Sequence, residues 1–182
     1  VYAGGTESAA DACEAFLSSF VNVDDYPLTR VSNMTASETA KVLENSYRAV
    51  NIAFIEEWTR FAEAAGIDLF EVVNAVRVRP THANIRQPGL GVGGYCLTKD
   101  PLFGEVSARK ILDRPDLEFP FCRQAISINR KMPLATLRRL EEGLGGNIKG
   151  NSRIFGPACI RCCQIRCIRN RLFSRSFGRC FG

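Results

Sequence analysis

The chain has 182 residues, 46% of them hydrophobic, and a formal net charge of +5 at pH 7. This length suits one or two domains, and the apolar runs are too short and too interrupted to predict a membrane span or a signal peptide. We therefore expect a cytoplasmic protein that has no membrane partner.

Residues 1–34 predict a strand, a helix and a second extended segment. The strand and the helix occupy Val1 to Phe20, and the extended segment lies around Pro27 to Ser32. Cys13 falls in this helix and Cys122 in a later one, where both side chains are expected to be buried. The sequence therefore predicts no disulfide framework outside its last segment.

A single long helix is predicted from Thr35 to the residue before Gly66. Thr35 and Glu38 fit a capping box, and Gly66 suits the position just after a helix. Apolar residues recur along the helix at spacings of three and four, which predicts a continuous apolar stripe. The stripe consists of Ala40, Leu43, Tyr47, Val50, Phe54, Trp58, Phe61 and Ala65. The other predicted helices are too few to cover it, so we expect this surface to contact a partner.

Two polar residues near the start of this helix form a possible pair. Lys41 and Asn45 lie four positions apart and therefore share one face. They are either functional residues or a solvated pair on an amphipathic helix.

The segment from Gly91 to Asp100, GVGGYCLTKD, is the strongest chemical signal in the chain. Its glycines permit positive φ angles and a close approach of the backbone to a ligand. Lys99 and Asp100 place a cation and a carboxylate near the sulfur of Cys96, and a nearby cation favours the nucleophilic thiolate. Cys96 is therefore a candidate nucleophile, the alternative being a small buried side chain in a structural turn.

The other predicted elements are four shorter helices. A loop from Pro80 to Asp100 lies between the first and the second of them. The first is expected to have Asp68 as its N-cap, and the second to begin with a proline in its first turn. They run from Leu69 to Val76, from Pro101 to about Leu112, from Phe121 to Met132 and from Pro133 to Leu144.

Residues 151–182 differ abruptly from the rest of the chain. They contain seven Arg, five Cys, no Lys and no acidic residue, whereas residues 1–150 carry seventeen basic and nineteen acidic side chains. Three interpretations compete: a zinc site, an Arg-rich segment that binds nucleic acid or acidic membrane, and an out-of-frame translation. The cysteines of the zinc interpretation, which lack paired spacing, are Cys159, Cys162, Cys163 and Cys167. We favour the third interpretation, which predicts neither a metal site nor a nucleic-acid partner.

Two stretches carry a resemblance to a known family. ETAKVLENSYRAVNIAFIEEWTRFAEAAGIDLFEVVNAV, which begins at Glu38, and PGLGVGGYCLTKDP, which begins at Pro88, resemble the central region of the UDP-glucose/GDP-mannose dehydrogenase family. These enzymes are NAD-dependent four-electron nucleotide-sugar dehydrogenases, and the resemblance extends from about Val1 to Gly150. It implies a catalytic set that consists of Lys41, Asn45, Cys96 and Asp100.

The resemblance also implies roles for these residues. The C6 alcohol of a UDP- or GDP-linked sugar is oxidised by two hydride transfers to NAD, and Cys96 attacks the intermediate aldehyde to give a thiohemiacetal and then a thioester. Lys41 and Asn45 stabilise the oxygen that carries negative charge, and Asp100 positions or activates the hydrolytic water.

A second implied set binds the substrate. The glycine-rich loop is expected to wrap the nucleotide sugar through its backbone amides, and Arg79, His82 or Arg86 is expected to reach a phosphate. The full set is Pro88, Gly89, Gly91, Gly93, Gly94, Tyr95, Lys99, Arg79 and Arg86.

The implied fold is mainly α, a helical dimerisation domain with a long central helix, flanked by remnants of two α/β Rossmann-like domains. Residues 1–34 correspond to the end of an NAD-binding domain, 35–150 to the dimerisation and catalytic domain, and 151–182 to the start of a nucleotide-sugar-binding domain. A homodimer through the long helix is expected. No G-x-G-x-x-G turn follows a strand, so this chain alone is expected to be inactive and to hold no NAD. The alternative is a helical dimerisation module without catalytic activity.

Overall fold

The structure, a computed structural model, describes residues 2–143 and 145. Most of these residues are helical. The elements are β1 (Tyr2–Ala3), α1 (Glu7–Ser18), β2 (Thr29–Arg30), α2 (Met34–Ala65), α3 (Leu69–Arg77), α4 (Phe103–Lys110) and α5 (Pro120–Gly143), with 3₁₀ turns at Pro80–His82 and Asp100–Leu102. Within the described ranges, no helix combines the length and apolar character that a membrane crossing requires. Residues 151–182, which include the cysteines of the zinc interpretation, lie outside the described residues.

The first three elements form a small β-α-β unit with a parallel strand pair. Ala3 pairs with Arg30, and the Arg30 guanidinium donates to Glu14 of α1 at 2.8 Å, which ties the helix to the second strand. Gly4 follows β1 and lies so close to Asn33, the residue before α2, that a β-carbon on Gly4 would clash with the carbonyl oxygen of Asn33. The predicted order of strand, helix and extended segment is confirmed, and its assignment to an NAD-binding domain stays a prediction.

The two cysteines predicted to be buried are more accessible than expected. Cys13 is exposed and Cys122 is half-buried, and both are free thiols. The prediction is wrong for Cys13 because α1 buries only Ala10 against the rest of the described chain, which leaves its other side in solvent.

The long helix α2 begins one residue earlier than predicted. The prediction of Thr35 as the start of a capping box is wrong, because Asn33 is the N-cap and its side chain accepts from the amide of Ala36 at 2.9 Å. Asn33 has extended backbone angles and a short acceptor side chain, the combination that an N-cap requires. The predicted end is confirmed: Gly66 is left-handed, with φ 68°, and the amide of Ile67 donates to the carbonyl of Ala62 at 2.8 Å.

The core lies between α2 and α5. Ala49 and Ala53 of α2 are buried, and small side chains here allow the backbone of α5 to approach closely. Asn129 of α5 is also buried, and its amide donates to the carbonyl of Ala49 at 3.0 Å. This hydrogen bond fixes the position of α5 along α2.

The predicted apolar stripe lies on the opposite side of α2 from this core. Leu43 is 66% exposed, Trp58 47% and Phe61 58%. Trp58 packs edge-to-face against Phe54 and against Phe61, with ring centroids 6.3 and 5.6 Å apart. The described part of the chain therefore leaves this aromatic surface uncovered.

The shorter helices agree with the sequence in kind and differ at their ends. Asp68 caps α3 as predicted, accepting from the amide of Phe70 at 2.9 Å. The predicted helix from Pro101 is a 3₁₀ turn followed by α4, and the two segments predicted on either side of Pro133 form one helix, α5. Pro133 is buried within α5, where packing against the core outweighs the lost helical hydrogen bond.

Candidate active site

Cys96 lies at the surface, at the beginning of a tight turn that leads into the core. Its carbonyl accepts from the amides of Lys99 and Asp100 at 3.1 and 2.9 Å. Cys96 is exposed, whereas Asp100 is only 8% exposed. The turn therefore presents the thiol to solvent and buries the carboxylate within one helical turn of it.

Asp100 is the centre of the buried hydrogen-bond network. One carboxylate oxygen accepts from the side-chain amide of Asn45 at 2.8 Å, and the other accepts from the Lys99 ammonium at 2.5 Å. Asn45 is 1% exposed and belongs to α2, so this contact joins residues that are 55 positions apart in the sequence. The structure thus brings Asn45, Asp100 and the Cys96 turn together.

The charges around Asp100 keep it ionised. The hydrogen bond from Lys99 lowers the pKa of Asp100 below its usual 3.8, against the opposing effect of burial, and Asn45 and the charge of Lys41 act in the same direction. A carboxylate whose pKa is lowered is a weaker base. Asp100 is therefore better suited to holding a water molecule or orienting Asn45 than to removing a proton.

Lys41 is exposed on α2, one turn before Asn45. Its charge contributes to the lowered pKa of the buried Asp100. Its proposed contact with a substrate oxygen remains a prediction.

Lys99, whose predicted binding of substrate remains a prediction, contacts three neighbouring side chains in the structure. Its ammonium forms the ion pair with Asp100 and lies over the rings of Tyr95 and Phe103, 4.7 and 4.5 Å from their centroids. The pKa of Lys99 is raised above 10.5, chiefly by the hydrogen bond to Asp100. Phe103 was missed at the sequence level because nothing marks a phenylalanine at the start of a helix as a neighbour of a cation.

The glycine-rich loop before Cys96 uses two of its glycines for unusual backbone angles. Gly91 has φ 139° and Gly94 has φ 90°, so both adopt conformations that residues with a β-carbon avoid. Gly93, between them, is absent from the positive-φ residues of the described chain. Val92 is 3% exposed and anchors the loop, while Tyr95 is 79% exposed beside Cys96.

Two further residues hold the beginning of this loop. The side chain of Asn51 on α2 donates to the carbonyl of Asn84 at 3.0 Å and accepts from the amide of Arg86 at 3.3 Å. The guanidinium of Arg77 on α3 donates to the carbonyl of Ile85 at 2.6 and 2.9 Å. Sequence reasoning missed both, because each side chain contacts a loop that is distant in sequence.

The three candidates for phosphate binding lie in different surroundings. Arg79 and His82 are exposed at the 3₁₀ turn Pro80–His82, where the hydroxyl of Thr81 is 2.9 Å from Nδ1 of His82. Arg86 is half-buried and lines a cavity of about 240 Å³ between α2 and the glycine-rich loop. Pro88 and Gly89 belong to the same loop. All of these assignments remain predictions.

The residues described do not fit NAD. Gly89 to Gly94 has the G-x-G-x-x-G spacing, but a dinucleotide requires this turn between a strand and a helix. The segment lies instead in an irregular loop, and within the described ranges the last strand before it is Thr29–Arg30.

Comparison with known proteins gives a consistent result. The model of the UDP-glucose/GDP-mannose dehydrogenase family, central domain, matches residues 35–131. A UDP-N-acetyl-D-mannosamine dehydrogenase from Pyrococcus horikoshii is 33% identical over 85% of this chain and 34% of its own length. The chain thus spans about one third of the curated relatives it matches.

Comparison with solved structures agrees with the family match. The structure of the UDP-D-ManNAc dehydrogenase from P. horikoshii has a TM-score of 0.61 at 32% identity, covering 76% of this chain and 30% of that one. A UDP-glucose dehydrogenase from Pyrobaculum islandicum has a TM-score of 0.64 at 26% identity, covering 79% and 31%. The chain belongs to the UDP-glucose/GDP-mannose dehydrogenase family and contains its central domain.

Proposed function

We propose that this chain is the central catalytic and dimerisation segment of a nucleotide-sugar 6-dehydrogenase, an enzyme that oxidises the C6 alcohol of a UDP- or GDP-linked sugar to a carboxylate. The observation that carries the proposal is the buried hydrogen bond between Asn45 and Asp100, which joins the two family motifs beside the exposed Cys96. Relatives with the same central domain are named as dehydrogenases of UDP-linked sugars.

Each residue of the set has a role that its surroundings support. Cys96 is accessible to an aldehyde, and addition of its thiolate to the carbonyl carbon forms a C–S bond and a thiohemiacetal. Oxidation of that adduct leaves a thioester, which water cleaves to the carboxylate and the free thiol. Lys41 stabilises the oxygen that becomes negative when the thiolate adds.

Asn45 and Asp100 act as a unit in this proposal. Asp100 is ionised and accepts from Asn45 and Lys99, so it holds both donors at fixed positions next to Cys96. The second proton of the Asn45 amide is then directed by this contact toward a substrate oxygen or the hydrolytic water. NAD takes up the hydrides in this family, and the glycine-rich segment of the described chain lacks the strand–turn–helix setting that would hold it.

The glycine-rich loop from Pro88 to Tyr95 supplies backbone amides for the nucleotide sugar. Its beginning is fixed to α2 and α3 through Asn51 and Arg77, which supports a preformed binding segment. The positive φ angles of Gly91 and Gly94 turn successive peptide groups in directions that other residues do not permit.

Homodimerisation through α2 is part of the same proposal. The uncovered surface formed by Leu43, Phe54, Trp58 and Phe61 supports it, because a contiguous aromatic face of this kind marks a protein contact. A dimerisation module without catalysis, the second candidate, would use this face and leave Cys96 without a chemical role.

The test is a chimera that restores a cofactor-binding domain. Residues 2–143 replace the corresponding segment of the P. horikoshii relative, and NADH and product are measured with UDP-N-acetyl-D-mannosamine and UDP-glucose. We expect two NADH per sugar oxidised, and a Cys96→Ser variant that forms no carboxylate because an alcohol is a far poorer nucleophile than a thiolate. Cys122→Ser, the matched control in α5, should keep its activity.

Two results would contradict the proposal. A folded, dimeric chimera without activity on any nucleotide sugar would favour the dimerisation module. A Cys96→Ser variant that still releases two NADH per sugar at a near-normal rate would remove the covalent role of Cys96.

A further inference from the structure

The Lys99 ammonium is enclosed by three groups. The rings of Tyr95 and Phe103 face it with centroids at 4.7 and 4.5 Å, and a carboxylate oxygen of Asp100 accepts from it at 2.5 Å. Tyr95 precedes and Phe103 follows Lys99 by four positions. Tyr95 lies before the turn and Phe103 at the beginning of α4, so different segments supply the two rings.

The two rings restrict the direction of the Lys99 ammonium, which the ion pair alone does not do. A lysine side chain is long and flexible, and a single carboxylate fixes its ammonium in distance but not in direction. The negative faces of two aromatic rings attract the cation from two further directions. Phe103 is 41% exposed and Tyr95 is 79% exposed, so the more buried ring of Phe103 restricts the ammonium more strongly.

We propose that Phe103, together with Tyr95, is a positioning residue that confines the Lys99 ammonium beside Asp100, in the turn that begins at Cys96. The contacts alone support this confinement, whereas its role in catalysis rests on the proposed function. The pKa of Lys99 supports it, since Tyr95 and Cys96 both add to the increase that Asp100 causes. A confined cation attracts any anion that approaches Cys96, including the oxyanion formed when a thiolate adds to an aldehyde.

The test compares two alkylating reagents at Cys96. Iodoacetate is an anion and iodoacetamide is neutral, but both react with the same thiolate, so the ratio of their rates reports the local cation independently of the thiolate fraction. The ratio is measured on the Cys96 peptide by mass spectrometry, which separates it from the other cysteines. It needs neither NAD nor a sugar and uses the chain as it is.

Four variants give the expected pattern. Lys99→Met removes the cation and should lower the ratio of iodoacetate to iodoacetamide rates. Phe103→Leu keeps an apolar side chain without the ring face and should lower the ratio in the same direction, by about two- to fivefold. Phe103→Tyr keeps a ring face and should retain the ratio. Phe70→Leu, a matched loss of an exposed ring on α3, should leave it unchanged.

The proposal is overturned if Lys99→Met lowers the ratio and Phe103→Leu does not, or if Phe70→Leu lowers it as much as Phe103→Leu. Should Phe103→Leu fail to fold, Tyr95→Leu, which removes the more exposed of the two rings, makes the same test. The alkylation rates are measured on the chain itself and do not depend on the activity of the chimera. Failure of the proposed function and failure of the confinement are therefore separate results.

Discussion

The hydrogen bond between Asn45 and Asp100 makes a quantitative prediction about stability. Asn45→Ala removes a donor to an ionised carboxylate at 2.8 Å, in a site where the two residues are 1% and 8% exposed. A hydrogen bond to a charged group contributes about 1.5–3 kcal/mol, so we expect the free energy of unfolding to fall by this amount at neutral pH. Urea denaturation followed by circular dichroism measures it.

The effect should depend on pH in a defined direction. The folded-state pKa of Asp100 is lowered below 3.8, chiefly by Lys99 and also by Asn45. The stabilisation is therefore fully present above the unfolded-state pKa and is lost as the pH falls through the folded-state pKa. The difference between wild type and Asn45→Ala should accordingly shrink with acidification below about pH 4.

The chain contains a matched control. Asn22 donates to Asp25 at the same distance of 2.8 Å, but this pair is exposed. Asn22→Ala should change the free energy of unfolding by about 0.5 kcal/mol or less, since surface substitutions rarely exceed this. Equal losses in the two variants, or a loss in Asn45→Ala that does not change with pH, would refute the reasoning about burial and charge.

Two further predictions concern the loop and the stripe. Gly94→Ala should lower the free energy of unfolding by about 1 kcal/mol or more because φ is 90° at this position, whereas Gly89→Ala, with open space and no positive φ, should have little effect by the same denaturation assay. Equal losses would show that the φ of Gly94 is unimportant. Trp58→Asp should shift the chain from dimer to monomer in sedimentation velocity at micromolar concentration, because dimer formation would bury an unpaired charge. A wild-type chain that sediments only as a folded monomer would exclude the dimer.

The sequence predicted the helices well because their signals are local. Gly66 and Asp68 end and begin helices through their own backbone and side-chain chemistry, and each acts at the predicted position. The start of α2 was misplaced because Asn33 and Thr35 are both acceptable caps, and the choice between them depends on where the preceding backbone runs. Pro133 was taken as a helix boundary because its burial in the core was not visible in the sequence.

The residues of the candidate active site also differ in how local their contacts are in the sequence. Cys96 and Asp100 are near each other in sequence, so their proximity was predictable. The contact of Asn45 with Asp100 spans 55 positions, and it was expected only through the resemblance to a family. Phe103, Asn51 and Arg77 were missed because their roles depend on which loop crosses which helix, and no local pattern encodes that.

The tight contact of Gly4 with Asn33 has a practical consequence for anyone who shortens or exchanges this domain. The family match begins at residue 35, which makes that position an inviting place to cut. A cut there would discard Asn33, whose side chain caps α2, together with the strand whose following glycine lies against it. A boundary placed before Tyr2 keeps both, so the segment that retains these contacts is larger than the region that family comparison outlines.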